Sequence, residues 1–374
     1  MKRVIVLFFF AACVLVDSAC GPRQSTSKRP EEKQQTPTMQ PEPSPTVSEA
    51  ATHNYDFTSL DHLLERIARQ HGGCALVVVK GEKVVYRKGF GSHGPDRVIP
   101  VASASKWLAG AVIMSLIDDR KLSIDDQVSK YLPEFTADKS AITIHQLFAH
   151  TSGLPPEARC RNDKGTTLQD CVKEIARMKL RAAPGGEFFY GGVSMHVGGR
   201  VAEVVTGRSW NELFAARIAT PLGMSHSDFF AYGPTNNPRP AGDARSSADE
   251  YARFLQMILQ RGRFGDKQIL SEPSVLEMHK DQTGGARIAY TIYEKHARLD
   301  PSLPLARYGV GMWLEKTDAS GQLLEASSQG ALGFSPWIDV ERNLAGVLSV
   351  RSSFSRALPE YLAVKDQIRR IFSN

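Results

Sequence analysis

The stretch VASASKWLAG, residues 101–110, sets Ser103 three residues before Lys106 at the mouth of an apolar run. On a helix, positions i and i+3 share a face with Cβ atoms about 5–6 Å apart, so hydroxyl and amine converge if the helix starts near residue 103. A serine hydroxyl is a weak nucleophile until a neighbour takes its proton. A lysine amine at its ordinary pKa of about 10.4 cannot take it at neutral pH. Two effects lower that value here: the partial positive charge of a helix N-terminus, and burial among Val101, Ala102, Trp107 and Leu108. The plainer readings are an N-cap role for Ser103 and a solvent-pointing Lys106. Spacing alone does not choose between them, because Ser-x-x-Lys also stands at Ser25 and Lys28, where no helical pattern follows.

The elements around the pair form a layout. Residues 55–71 carry apolar positions at intervals of three and four and predict a helix. CALVVVKGEKVVYRKGFG then reads as strand, Gly-containing turn and strand. Residues 105–121 predict a long, mostly apolar and hence buried helix. From about 122 to 235 the pattern is helical and loop-rich, with capping-box spacing at Thr143 and Gln146. The same spacing recurs at Ser247 and Glu250, opening a helix that ends near Gly262. Residues 306–314, 322–328, 334–339 and 343–351 predict successive antiparallel strands, and 358–372 a closing helix. Strands at both ends of the domain must share one sheet. The middle becomes an inserted helical lobe, and the seam between sheet and lobe is a natural place for a pocket.

The chain has 374 residues, 42% of them hydrophobic, enough for one large domain or two intimate ones. The net charge of +6 comes with no run of Lys or Arg, so it reads as a solvated surface and no nucleic-acid partner is expected. Residues 1–20 read as a lipoprotein-type signal: a charged MKR, an apolar stretch from Val4 to Val16 too short to span a bilayer comfortably, then DSACG with Cys20 as the lipidation candidate. Asp17 departs from the usual pattern of such signals; Cys13 and plain signal cleavage stay open. All three imply export, to the cell envelope as a lipoprotein or to the periplasm or medium. Residues 21–52, rich in Pro, Gln, Ser, Thr and Glu, read as a disordered tether, leaving 53–374 as the domain. The lipid anchor would be the only membrane contact.

Export permits a disulfide, and Cys160 and Cys171 flank the loop RNDKGTTLQD. Cys74 lies in an apolar run and reads as a buried thiol. His145 and His150 are five apart and HExxH is absent, so no metal is expected, and no cofactor is called for.

VASASKWLAG, HTSGL (150–154), Pro184-Gly185, FFYGG (188–192), GRVAEVVTGRSWNELF (199–214), PLGMSHSDF (221–229), DEYARFLQMI (249–258) and GALGFSPWIDVERNLAGVL (330–348), in this order, resemble the serine β-lactamase-related superfamily. That superfamily includes class C β-lactamases, D-alanyl-D-alanine carboxypeptidases and β-lactamase-like esterases, and the resemblance runs over about residues 55–372. It implies an α+β fold, an α/β sandwich in which an antiparallel sheet is flanked by helices and carries an inserted, mostly helical lobe. It implies Ser103 as the acylated nucleophile, Lys106 as its base or relay, and Tyr190 as the tyrosine of a Tyr-x-Asn motif. Ser328-Gln329-Gly330 matches the third motif, usually Lys-Thr-Gly or His-x-Gly, whose strand lines the substrate site and whose glycine permits close approach. The N–H groups of Ser103 and Ala331 would form the oxyanion hole.

Two positions depart from the family pattern. Gly192 replaces the Asn of the second motif, and Ser328 replaces the cation of the third. Both losses touch groups that recognise acyl-amide substrates rather than groups that transfer the acyl chain. The expectation is therefore an exported serine hydrolase acting on a small ester or amide or on a cell-wall peptide. The alternatives are a D-alanyl-D-alanine carboxypeptidase, a slow class C-like β-lactamase, or a non-catalytic peptide-binding protein. A conventional α/β-hydrolase is disfavoured because G-x-S-x-G is absent. His150 reads as structural, and Trp313 and Trp337 as core or pocket lining.

Overall fold

Two segments from opposite ends of the domain build one sheet. The computed structural model describes residues 55–296, 303 and 307–373; the signal, the tether and Cys20 lie outside the described residues. Helix α1 (Thr58–His71) buries Leu60, Leu64, Ile67 and Ala68, and the hairpin β1 (Gly73–Lys80) and β2 (Lys83–Gly91) follows. A two-residue strand β3 (Ile99–Pro100) leads into α2 (Ser105–Asp118). The middle holds α3 (Ile144–Phe148), α4 (Leu168–Arg177), the short β4 (Glu187–Phe189), α5 (Val193–Thr206) and α6 (Trp210–Phe214). Then come β5 (Arg245–Ser246), α7 (Ala248–Leu259), the small hairpin β6 (Arg263–Phe264) and β7 (Lys267–Gln268), α8 (Glu272–Met278) and β8 (Arg287–Tyr290). Four strands, β9 (Trp313–Thr317), β10 (Leu323–Ser327), β11 (Phe334–Asp339) and β12 (Leu344–Val350), precede the last helix, α9 (Phe354–Ile371).

The main sheet is six-stranded in the order β2-β1-β12-β11-β10-β9, and every pairing is antiparallel. The join of the two chain ends is β1 on β12, in register from Cys74 opposite Val350 to Lys80 opposite Leu344. Both faces are covered, which is why β1 reads as an unbroken apolar run rather than an alternation. Leu76 and Val78 pack with Leu358, Val364 and Ile368 of α9, while Val77 and Val79 join the core that includes α2 and α7. The fold is thus the expected α+β sandwich with a largely helical insertion.

Sequence boundaries shift in two places. The first C-terminal strand starts at Trp313 rather than 306, because a tight turn intervenes: Gly311 has φ +88°, and a Cβ there would meet the carbonyl of Lys106 at 2.2 Å. The last helix starts at Phe354 rather than 358 and carries Pro359 inside it. Thr143 and Gln146 form a full capping box. At Ser247 only half forms: its hydroxyl accepts from Glu250 N, while the Glu250 carboxylate accepts from Ser227 Oγ and His226 N instead.

One charged cluster fastens α9 to the sheet edge. Lys365 contacts Glu315 of β9 and lies 2.6 Å from Glu325 of β10, and Arg369 Nη2 donates to Glu325 at 2.5 Å. Burial by itself would raise the Glu325 carboxyl, but Lys365 and Arg369 outweigh it and hold it at about 2, against 4.5 for a free glutamate. The stability this lends is complete above pH 4.5 and is lost as pH falls through the folded value. Replacing Lys365 by Met takes the buried cation shared by Glu315 and Glu325 away from both carboxylates, and we expect a loss of about 3–5 kcal/mol at neutral pH in urea unfolding. The variant should also lose less additional stability than the wild type between pH 4.5 and 2.

Candidate active site

The nucleophile candidate sits on a strained turn. Ala102, the residue before Ser103, adopts φ +48°, which a non-glycine residue holds only when its surroundings impose it. Those surroundings come from residues 241–251. Val101 N donates to Ala244 O at 2.9 Å, Ser105 Oγ donates to Ala102 O at 2.5 Å, and Ala244 N donates to Ser105 Oγ at 3.0 Å. Tyr251 Oη donates to Ala104 O at 2.7 Å, and β3 pairs with β5. Ser103 does not cap α2, whose N-cap position is Ala104.

Instead, Lys106 Nζ donates to Ser103 Oγ at 3.0 Å and to the carbonyl of Ala241 at 3.0 Å. Residues 105–116 of α2 are all buried, and Lys106 is only 3% exposed. Burial, and then the Arg161 guanidinium, pull the ammonium down to about 7, while Glu157 works the other way. An amine so placed is substantially neutral at physiological pH and can accept a proton.

Tyr190 leaves β4 just ahead of α5, and its ring lies beneath Lys106 Nζ at 4.7 Å from the ring centre. The ring stacks on Trp313 at 5.1 Å and touches His150 at 4.6 Å. Its hydroxyl is buried; Ser103 and Trp313 lie close enough to favour the phenolate, but neither completes a hydrogen bond. Burial dominates and raises the phenol well above its usual value. Lys106 Nζ sits over the ring face rather than at the oxygen, so it does not offset that rise. His150 is 3% exposed and held neutral by burial and by Lys106, with its ring wedged among Tyr190, Tyr308 and Phe188.

The third-motif residues follow β10. Ser328 is buried, and its hydroxyl donates to the carbonyls of Ser103 at 3.3 Å and Gly311 at 3.5 Å, so its side chain supports the nucleophile turn. Gln329 is buried, with Nε2 lacking a partner among the described residues. At Gly330 a Cβ would meet the Val101 carbonyl at 2.4 Å, so the chain's own backbone already requires a glycine there. Ala331 is exposed on the following turn, and its carbonyl accepts from Phe354 N at 3.0 Å. Cys160 and Cys171 are joined by a disulfide, and Cys74 is a buried free thiol.

One residue escaped the sequence reading. At Gly192 a Cβ would meet Arg161 Nη2 at 2.1 Å, so the guanidinium fills the space a side chain at 192 would need. No pattern links two positions so far apart in the chain. Only the fold brings them together.

A family model for Beta-lactamase matches residues 57–366. The crystal structure of a proposed beta-lactamase from Bacteroides dorei DSM 17855 is 34% identical, with a TM-score of 0.78 over 86% of this chain and 100% of that one. EstCE1, a hydrolase with promiscuous acyltransferase activity, shares the fold at 20% identity and a TM-score of 0.67, over 83% and 98% of the two chains. Among curated proteins, Protein flp of Staphylococcus aureus (strain MRSA252) is 29% identical over 46% of this chain and 37% of its own length. The D-alanyl-D-alanine-carboxypeptidase/endopeptidase AmpH of Escherichia coli (strain K12) is 29% identical over 42% and 45% of the two chains. The matches therefore span less than half the length of these curated relatives.

The charges around Lys106 make a two-sided test. Arg161→Gln removes a cation that disfavours the ammonium, so the Lys106 titration, followed by NMR of isotope-labelled lysine, should move upward from about 7. Glu157→Gln should move it downward. Shifts of the same sign in both variants would show that packing, not charge, sets the value.

Proposed function

The chain belongs to the Beta-lactamase family, and from that premise we propose that it is an exported serine hydrolase that works through a covalent acyl-enzyme and favours esters. The observation that carries this reading is the 3.0 Å contact between Lys106 Nζ and Ser103 Oγ, at a lysine drawn down to about 7. Neutral Lys106 takes the hydroxyl proton as Ser103 Oγ attacks the carbonyl carbon. The resulting oxyanion is received by the N–H groups of Ser103 and Ala331, which lie at the start of α2 and on the turn before β11. Lys106 now holds the proton. It passes it to the leaving group directly or through the neutral Tyr190 phenol, whose unpartnered hydroxyl lies near Ser103. Water then attacks the acyl-enzyme, with the same pair moving protons in reverse.

The ester preference follows from what the site lacks. Gly192 has no side-chain amide to meet an acyl-amide substrate, and the Ser328 hydroxyl is turned onto backbone carbonyls. A second reading, cleavage of D-alanyl peptides, draws on the similarity to AmpH. The lipoprotein-type signal with Cys20, together with the tether, supports placement at the cell envelope.

A fluorophosphonate or fluorescent penicillin should label the wild type and not Ser103→Ala, as read by gel and mass spectrometry. Label retained on Ser103→Ala would remove Ser103 as the nucleophile. Lys106→Ala should slow acylation by about a hundredfold or more, the usual scale for a lost general base; an unchanged rate would take Lys106 out of the mechanism. Side by side, p-nitrophenyl butyrate should be turned over faster than nitrocefin or a D-Ala-D-Ala peptide. The reverse order would replace the ester reading with one of the other two.

A further inference from the structure

We propose that Arg161 and the start of α5 form an anion subsite of this active site, and that its preferred substrates carry a carboxylate. The inference rests on the hydrolase reading and names the substrate class within it. Arg161 lies on a single turn, Arg159–Asn162, that is fixed twice: by the Cys160–Cys171 disulfide, and by Asn237 Nδ2, which donates to the carbonyl of Cys160 at 2.8 Å. The turn drives the guanidinium against Gly192, two residues beyond Tyr190.

The guanidinium is nearly buried yet poorly matched. Its side chain is 10% exposed, and its ion pair among the described residues, Nη1 to Glu157 at 3.1 Å, is to a carboxylate that is 75% exposed. Nε is buried with no partner among the described residues. The nearby carboxylate of Asp243 is taken by Arg239, whose N and Nε donate to it at 3.0 and 2.6 Å. A buried cation with a free donor is costly unless something pairs with it.

Gly192 compounds the imbalance. It is the N-cap of the 14-residue α5 and offers no side-chain cap, so the first amides of that helix are left to other acceptors. Guanidinium and helix start both favour negative charge beside Gly192, and the described carboxylates that act on Arg161 are the exposed Glu157 and Asp243, which Arg239 already holds. A carboxylate is planar and takes two parallel N–H bonds from a guanidinium edge, and the edge that includes the buried Nε has that donor unmet. The two losses noted in the sequence then read as an exchange: an amide at 192 and a cation at 328 give way to one guanidinium entering from the lobe.

The test uses matched 4-nitrophenyl esters: that of 4-carboxyphenylacetic acid, whose para acid cannot reach its own ester, and that of its methyl-capped neutral counterpart. A second pair, 4-carboxyphenyl butyrate and its methyl ester, places the acid on the leaving group. In at least one pair the wild type should prefer the acid in kcat/KM by about tenfold or more, the scale of one charge-assisted hydrogen bond. Arg161→Met should abolish the preference and Arg161→Lys keep part of it. Taking the ratio cancels any effect of Arg161 on Lys106 that both esters feel. Gly192→Ala, which pushes the guanidinium aside without removing its charge, should weaken the preference, and it decides the matter if Arg161→Met does not fold. No preference in the wild type, or one that survives both variants, overturns the subsite while Ser103-dependent turnover of the neutral ester leaves the hydrolase reading standing. Turnover of neither ester sinks that reading and the subsite with it.

Discussion

The structure turns on keeping one amine out of water. Lys106 is placed on the first turn of a helix that is apolar on every side, so its charged form is disfavoured wherever it points. That disfavour draws down the ammonium of a lysine that lies 3.0 Å from a serine hydroxyl. Most of the neighbouring architecture reads as a means of holding α2 dry and its first turn strained. Residues 241–251 take up several of the polar groups of that turn, among them Val101 N and Ala104 O.

Close backbone approaches carry the second part of the design. Gly311 rests on the carbonyl of Lys106 and Gly330 on that of Val101, bracketing the Ser103 turn from the C-terminal strands. Any side chain at either position would push strand and helix apart. Tyr190 is fixed differently, by aromatic contact with Trp313 and His150 on either hand. A ring held by faces and edges keeps its direction while its hydroxyl has no partner among the described residues. His150 serves this packing as a neutral ring, its charge suppressed by burial and by Lys106.

The electrostatics of the lobe side depend on a substitution and its neighbour together. Loss of a side chain at 192 would leave a hole beside the site. The disulfide-bound turn at Arg159–Asn162 fills it with a guanidinium, which also presses on the Lys106 charge. Ser328 shows the same economy, since its hydroxyl has become a brace for the Ser103 backbone. The Ser103–Lys106 pair is therefore held by sheet and α2, while the lobe supplies the guanidinium that lies against Gly192.

Much of this was legible in the chain. Apolar periodicity located α1, the β1–β2 hairpin, α2 and the later strands, because burial on one or both faces writes itself into neighbouring residues. Ser103 and Lys106 were legible as a pair because a single helical turn joins them, and Tyr190 through its order among the family-like segments. Strand ends near Gly311 and the partners of Ser328 were not, since each depends on a carbonyl contributed by a distant segment. The same holds for Arg161 against Gly192. Local spacing determined which groups could do chemistry; only the tertiary structure decided their charge states and which spaces they fill, because dehydration and close contact are properties of the packed whole.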